Sequence, residues 1–475
     1  MKIVIIGGGI SGLASAYRVQ EAARAAGVKP EITLLERDAH LGGKIRSDRH
    51  EGWVVETGPN GYLDSKPGTV RLVKDLGLED KTLPADEASK TRLLYLDGRL
   101  QALPTSPPGF MTSSVLPLGG RLRILLEPFQ KVGPEDETLA EFGRRRLGNH
   151  AVERLLDPFV TGIFAGDPER LSVAAAFPAV KKLELEHGGL IKGMRARAKE
   201  RRLAAKRGEV QQSSGGAAGP GGHLTSMAGG LTQLIDGIAE AIEGDLRTGV
   251  TVEALARNGA GWKVHLVGEP GETLEADVVV LATPAPAAAS LLEGVDAESA
   301  GLLRGTPYAS MTVVGLGFPK DAIHHDLRGF GYLIPGREKR KILGCLWTSS
   351  IYPGHRAPKG YVLMRVMVGG ARAPELAALP DDELLALVRS ELELTMGMRW
   401  VPPSHQRIFR WPQAVPQYPV GHLVSMGKVL ERLAGAHPGL FLTGNHLYGI
   451  GINDCTADAE RIAGLFTEFV KSKGT

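Results

Sequence analysis

The chain opens with a β-branched run, Lys2 to Ile6 (KIVII), that leads directly into Gly7-Gly8-Gly9-Ile10-Ser11-Gly12. No other feature restricts the fold as strongly. A short apolar run of this kind is a strand buried on both faces. Residues 11–26 (SGLASAYRVQEAARAA) then read as a helix ending before Gly27, and residues 31–36 (EITLLE) as a second strand, so the opening is one βαβ unit. Gly7 permits the tight turn, Gly9 lets the backbone approach a pyrophosphate, and Gly12 allows the helix to pack closely on the strand. The helix N-terminus offers unpaired N–H groups and the positive end of its dipole. Glu36, followed by Arg37, ends the second strand where a carboxylate accepts hydrogen bonds from ribose hydroxyls. The N-terminus is therefore expected to hold a dinucleotide.

The remainder of the chain is compatible with a soluble enzyme of two or three domains. Its 475 residues suffice for several cores, and 43% hydrophobic with 23% charged residues is ordinary for a globular protein. A net charge of +3 gives no case for nucleic acid. Two cysteines, Cys345 and Cys455, exclude a disulfide framework and a cysteine-rich zinc site, which fits a reducing compartment. No signal or transit pattern precedes the first strand, and apolar runs such as 278–282 (VVVLA) are too short to span a bilayer. The expectation is a cytoplasmic protein, with peripheral attachment to the membrane face left open.

The pattern divides the chain into three parts. A nucleotide-binding domain takes 1–83, 211–285 and 425–475, interrupted twice and finished at the end. Residues 84–210 start Pro-rich (LPTSPPGFM, 103–111) and become mostly helical, and 192–207 (KGMRARAKERRLAAKR) carries eight Lys/Arg. The linker-like SSGGAAGPGG (213–222) follows. Residues 286–424 contain strand-like runs (MTVVGLGF, YVLMRVMVGG) and a helix at 381–396 that Asp381 or Asp382 is placed to cap. The fold class is α/β in a multi-domain α+β arrangement: a Rossmann-like nucleotide domain, a mixed-sheet substrate domain and a helical insert. Pro-rich, apolar 103–118 beside a basic helix suits that insert to docking on one leaflet.

Two further glycine-rich segments specify the dinucleotide. Leu41-Gly42-Gly43-Lys44 follows Glu36 closely, and Glu56-Thr57-Gly58-Pro59-Asn60-Gly61 comes next. Together with LTGNHLYGIGINDCTADAERIAG (442–464), these resemble the flavin amine oxidase superfamily. The resemblance implies non-covalent FAD: Gly43 and Lys44 at the pyrophosphate, Gly58, Pro59, Asn60 and Gly61 along the isoalloxazine, and Val252 holding the adenine through its backbone. It also places Ile450, Gly451 and Ile452 at the flavin, with Asn453 and Asp454 capping a helix whose positive end faces the pyrimidine.

TGIFAGDPERLSV (161–173), RGFGYLIP (328–335), VMVGGAR (366–372) and FRWPQAVPQY (409–418) are similar to protoporphyrinogen oxidases, a match spanning nearly the whole chain. That resemblance implies a porphyrinogen substrate sandwiched by Leu333 and Met367, with the Gly162 carbonyl facing the pyrrole N–H groups and Trp411 near the flavin. It further implies dioxygen as acceptor and a homodimer. Asn60 stands where the animal and plant enzymes place an arginine available to a propionate, so the basic partner of the substrate is left open. The chemistry needs no general base, because hydride loss from a methylene bridge leaves a cation delocalised over two pyrroles. Coproporphyrinogen III oxidation is the near alternative. An amine substrate is less well matched, and so is the non-catalytic prenyl-protein binding of the Rab GDP-dissociation inhibitors.

Overall fold

A computed structural model describes residues 1–104, 107–207, 222–268 and 272–473. The linker-like 213–222 lies almost entirely outside the described residues, as do parts of 103–118.

Strand Lys2–Ile6 lies at the centre of a five-stranded parallel sheet. Glu31–Glu36 and Val278–Leu281 flank it, and Gly244–Thr248 and Leu440–Leu442 form the edges. Both faces are covered. Ile3 and Ile5 pack against Leu13, Ala16, Ile235, Ile462 and Phe466, from helices Ile10–Ala25, Thr232–Ala241 and Ile452–Lys473. Val4 and Ile6 pack against Trp262 and Val264 of a small antiparallel sheet, and against Ala288, Leu303 and Met426 from three further helices. Burial on both faces is why the run KIVII shows no polar alternation. Loops at the carboxyl edge of such a sheet form its ligand crevice, and the Gly7–Gly12 turn is one of them.

The second sheet is mixed and seven-stranded. Its order is His405–Pro416, Tyr308–Pro319, Tyr361–Gly369, Ile342–Leu346, Gly331–Leu333, Leu93–Leu96 and Arg99–Ala102. The last two strands correct the expectation that 84–210 is a helical unit, since its first part is a hairpin that extends this sheet. The hairpin turns at Asp97-Gly98, both at positive φ (53° and 77°), the geometry of a two-residue primed turn. Helices Ala285–Leu292 and Ala297–Arg304 likewise pack on the nucleotide side, although they lie within the stretch assigned to the substrate domain. Helix Asp381–Met396 follows Pro380 with no side-chain cap; Asp381 instead pairs with Arg410 at 2.6 Å.

The helical part of the insert is held together by buried charge. Glu127, Arg146 and Glu184 are fully buried, and Lys181 and Glu137 nearly so. Arg146 bonds Glu127 at 3.2 Å and Glu184 at 2.7 Å, Lys181 bonds Glu137 and Glu184, and Arg145 reaches both of the latter. The Glu127 carboxylate also accepts the N–H groups of Leu190 and Ile191 at 2.7 and 3.0 Å, which fixes the start of helix Leu190–Lys206. Charges of opposite sign are matched, so the cluster is neutral as a whole. Burial alone raises the Glu184 carboxyl, but hydrogen bonds from Arg145, Lys181, Arg146 and the Gly133 N–H outweigh it and hold the group at about 2.

A group depressed in the folded state contributes stability above its unfolded value, near 4.5, and loses that contribution as pH falls towards 2. Denaturant unfolding followed by circular dichroism is expected to show the insert weakening between those limits. Glu184→Gln is expected to cost about 3 kcal/mol at neutral pH, since it strands buried cations, and to flatten the acid dependence.

Candidate active site

Three glycine contacts shape the turn after the first strand. A Cβ on Gly7, whose φ is +108°, would lie 2.8 Å from the Ala282 carbonyl oxygen; one on Gly12 would lie 1.9 Å from the Gly7 oxygen. Gly9 differs: its Cβ would meet nothing within 4 Å. Gly9 caps helix Ile10–Ala25 without a side-chain bond, and Leu13 N–H returns to Gly9 at 3.0 Å. The earlier N–H groups, of Ile10, Ser11 and Gly12, are therefore not used by the helical ladder. The Glu36 carboxylate accepts Gly8 N–H at 2.6 Å and Asp38 N–H at 2.8 Å and is 8% exposed, which leaves lone pairs for a ligand.

The later segments close over this turn. Gly42 N–H donates to Gly8 O at 2.8 Å, and a Cβ on Gly43 would lie 3.3 Å from the Gly9 Cα. Lys44 is half-buried, its ammonium over the Tyr308 ring at 5.4 Å, and loss of solvent lowers that ammonium to about 8. Val250 N–H reaches Glu36 O at 2.9 Å, which brings the start of strand Val252–Asn258 beside Glu36. Arg37 points its side chain into solvent, 3.7 Å from Asp38.

Thr57 to Gly61 is clamped from the seven-stranded sheet. Trp411 Nε1 donates to Thr57 O at 2.8 Å, Arg365 Nη2 to Gly58 O at 2.6 Å, and the Tyr352 hydroxyl to Asn60 O at 3.0 Å. Gly58 packs against the Lys44 carbonyl, where a Cβ would approach to 2.0 Å. At the far end, Asp454 Oδ2 accepts Gly451 N–H at 3.1 Å at the start of helix Ile452–Lys473. Asn453 does not cap that helix: its Nδ2 donates to Leu63 O at 3.1 Å instead. Ile452 belongs to the nucleotide-domain core and Ile450 packs on the insert, so this loop joins the two.

Leu333 and Met367 share one sheet face. Leu333 pairs with Gly344, and Gly344 with Met367, so the two side chains lie two strands apart with a glycine between them. Neighbouring strands are about 4.8 Å apart, so the two side chains are rooted roughly 10 Å apart on one sheet face. Arg365 is two residues from Met367 on one strand and hence on its face; since Arg365 bonds Gly58, that face looks toward the clamped segment. Helix Asp157–Phe164 borders this face: a Cβ on Gly162 would lie 2.6 Å from Leu333 Cδ1. Ala165 N–H returns to Thr161, so the Gly162 carbonyl lies past the end of the ladder. Arg372 ties the helix to the sheet through Asp157 at 2.5 Å and Thr161 at 2.9 Å.

The residues fit a dinucleotide flavin. An open cradle lies above Gly9, and buried polar atoms without partners include Thr283 Oγ1, Asn60 Nδ2, Asn453 Oδ1 and both ring nitrogens of His446. Burial, with His422 and Lys44 nearby, lowers His446 to about 3 and keeps it neutral. Sequence reasoning missed Arg365, Tyr352, Gly344 and His446. The parity of YVLMRVMVGG, which puts Arg365 on the face of Met367, was the available signal for the first.

Residues 10–465 match the family model of flavin-containing amine oxidoreductases. The chain belongs to that family. It is thus a flavin-dependent oxidoreductase. It is 32% identical to a coproporphyrinogen III oxidase of Bacillus subtilis (strain 168) over 95% of both chains. It is 30% identical to protoporphyrinogen oxidase 2 of Arabidopsis thaliana, over 99% of this chain and 94% of that one. A solved structure from Exiguobacterium sp. 255-15, provisionally named protoporphyrinogen oxidase, superposes with a TM-score of 0.82 at 26% identity, covering 98% of each chain.

The open space at Gly9 gives a clean test of the flavoprotein's cradle. Gly9 has φ −72° and ψ 177°, a conformation open to any residue. Gly9→Val is therefore expected to melt within a few degrees of the parent yet purify colourless, because its side chain fills the phosphate space.

Proposed function

We propose that this flavoprotein binds FAD non-covalently and oxidises protoporphyrinogen IX to protoporphyrin IX, with dioxygen as acceptor and hydrogen peroxide as product. The observation that carries the reading is the Leu333–Gly344–Met367 row, an apolar row with a glycine at its centre on the sheet face that looks toward Gly58–Gly61. A flavin held by Gly7–Gly12, Glu36 and Gly58–Gly61 would supply two-electron acceptor chemistry toward the macrocycle, with dioxygen as the terminal oxidant. Leu333 and Met367 hold the flat ring system, and the Gly162 carbonyl accepts pyrrole N–H groups at its edge. The N-terminal end of helix Ile452–Lys473 would favour negative charge on a flavin pyrimidine placed before it. Orientation and electrostatics are the protein's contribution, and no side chain is assigned as general base.

Coproporphyrinogen III is the second reading, favoured by the name of the Bacillus subtilis relative and of a second at 34% identity from Propionibacterium freudenreichii subsp. freudenreichii. Porphyrins fluoresce and porphyrinogens do not, so the two substrates are compared directly under controlled oxygen. A faster rise with protoporphyrinogen supports the first reading, a preference for coproporphyrinogen the second, and flavin reduced by an amine alone sinks both. Met367→Ala and Leu333→Ala are each expected to raise KM by roughly tenfold, the scale of one or two lost methylene contacts. Acid precipitation is expected to leave the yellow colour in the supernatant.

Peripheral docking of the insert is part of the same proposal, as is a homodimer, checked by sedimentation. Leu118, Leu122, Leu125, Leu126 and Phe129 recur at helical spacing and are between 51% and 82% exposed. Basic helix Leu190–Lys206 belongs to the same insert, and among the described residues no helix is long and apolar enough to cross a membrane. An apolar stripe with basic residues suits an anionic lipid surface. Flotation with phosphatidylserine vesicles at low salt is expected to carry the parent up and leave Leu122→Glu/Phe129→Glu behind; equal behaviour of both removes the docking.

A further inference from the structure

Arg365 is 2% exposed, and among the described residues no carboxylate lies within 4.0 Å of it. Its side chain has only donors. Two reach oxygen: Nη2 to Gly58 O at 2.6 Å and Nη1 to Asn60 Oδ1 at 3.2 Å, while Nε has no partner. The nearest acid, Glu56, is spoken for. It accepts Leu231 N–H at 2.9 Å and the Ser47 hydroxyl at 2.8 Å, and its closest cation is Arg356 at 3.8 Å. Two buried guanidinium groups thus share one carboxylate, and that carboxyl is itself pushed up by burial. A buried charge without a counterion costs several kcal/mol unless something else in the site compensates it.

The bond to Asn60 also settles which way that amide points. A guanidinium accepts nothing, so the Asn60 oxygen must face Arg365 and its NH2 must face away. That NH2 is buried and has no partner. Asn60 lies in the segment that packs on Lys44 on one side and is clamped by the sheet on the other. The arrangement therefore has a fixed cation, an amide oriented by it, and a free donor, all at the segment between dinucleotide cradle and apolar row.

We propose that Arg365 is a positioning residue that sets the electron affinity of the bound flavin: it holds Gly58–Asn60 against the ring system, turns the Asn60 NH2 toward it as a donor, and supplies beside it a positive charge that Glu56, shared with Arg356, offsets only in part. The inference rests on the flavin reading. Reduction of a flavin adds negative charge to the ring, and a fixed cation in a low-dielectric site favours the reduced form. Burial lowers the guanidinium to about 10, still well above neutral pH, so the charge is present under working conditions.

The test is the midpoint potential of the bound flavin, measured by dye-coupled reductive titration of the purified holoprotein. Asn60→Asp is the decisive variant. It keeps the shape of the side chain but places a carboxylate against Arg365, cancelling the charge and removing the NH2 donor. It is expected to lower the potential, to slow flavin reduction by porphyrinogen and to shift the visible flavin bands. Arg365→Met is expected to lower the potential likewise, and Arg365→Lys to restore most of it. If Arg365→Met does not fold, Asn60→Asp and Arg365→Lys decide the matter. Flavin bound to Asn60→Asp at the parental potential overturns the inference and leaves the flavin reading intact. A parent protein that holds no flavin overturns both.

Discussion

The close approach of Gly12 to the Gly7 carbonyl is the contact on which the rest of the molecule depends. It lets helix Ile10–Ala25 start directly over the end of the central strand, so that the helix N-terminus opens at the carboxyl edge of the sheet. The Gly42–Gly43 loop closes on the same turn, and Lys44 in turn backs Gly58. Each later segment of the site is built on the one before it. A side chain at Gly12 would move the helix, and with it the surface that receives residues 42–44 and 58–61.

From that turn the nucleotide frame joins the seven-stranded sheet through polar bonds at 57–60 and through an apolar contact of Trp53 and Val55 with Leu363 and Phe409. Trp411, Arg365 and Tyr352 each give a donor to the backbone or side chains of 57–60. All three lie on or against the seven-stranded sheet, which also presents Leu333 and Met367. The position of 57–60 against the sheet is thereby fixed by hydrogen bonds of defined length beside close-packed apolar contacts. In the insert the balance differs again, with charges matched in a buried network around Glu184.

Much of the frame was legible in the sequence because local rules and the fold agree there. The strand and helix limits of the first βαβ unit, the helix 381–396 and the final helix follow from periodicity and from Gly and Pro punctuation. Leu333 and Met367 share one sheet face, and only the sheet register reveals Gly344 between them. The DG turn at Asp97-Gly98 was readable but was masked by the Pro-rich stretch just beyond it. Arg365 was readable only as far as its parity with Met367, which gives its face but not its partners, and His446, after Gly444-Asn445, carries no local signal. Their character comes from neighbours brought together over 300 or so residues of chain separation, as between Arg365 and Asn60. The mistaken roles of Asp381 and Asn453 share a cause: both residue types favour helix starts, but tertiary partners claimed their side chains.

The split connectivity of the nucleotide domain bears on how the protein is made. The central sheet takes its first strand from Lys2–Ile6 and an edge strand from Leu440–Leu442, and helix Ile452–Lys473 packs on the first helix and supplies Ile462 and Phe466 to its core. A ribosome delivers these parts in order, so the first βαβ unit must wait through nearly the whole of synthesis with one face uncovered. The seven-stranded sheet is no more local, since Leu93–Leu96 pairs with Gly331–Leu333 and Tyr308–Pro319 with His405–Pro416, so both sheets need distant parts of the chain. A truncated product lacking its final turns would be an incomplete core with an exposed apolar face, not merely a slower enzyme.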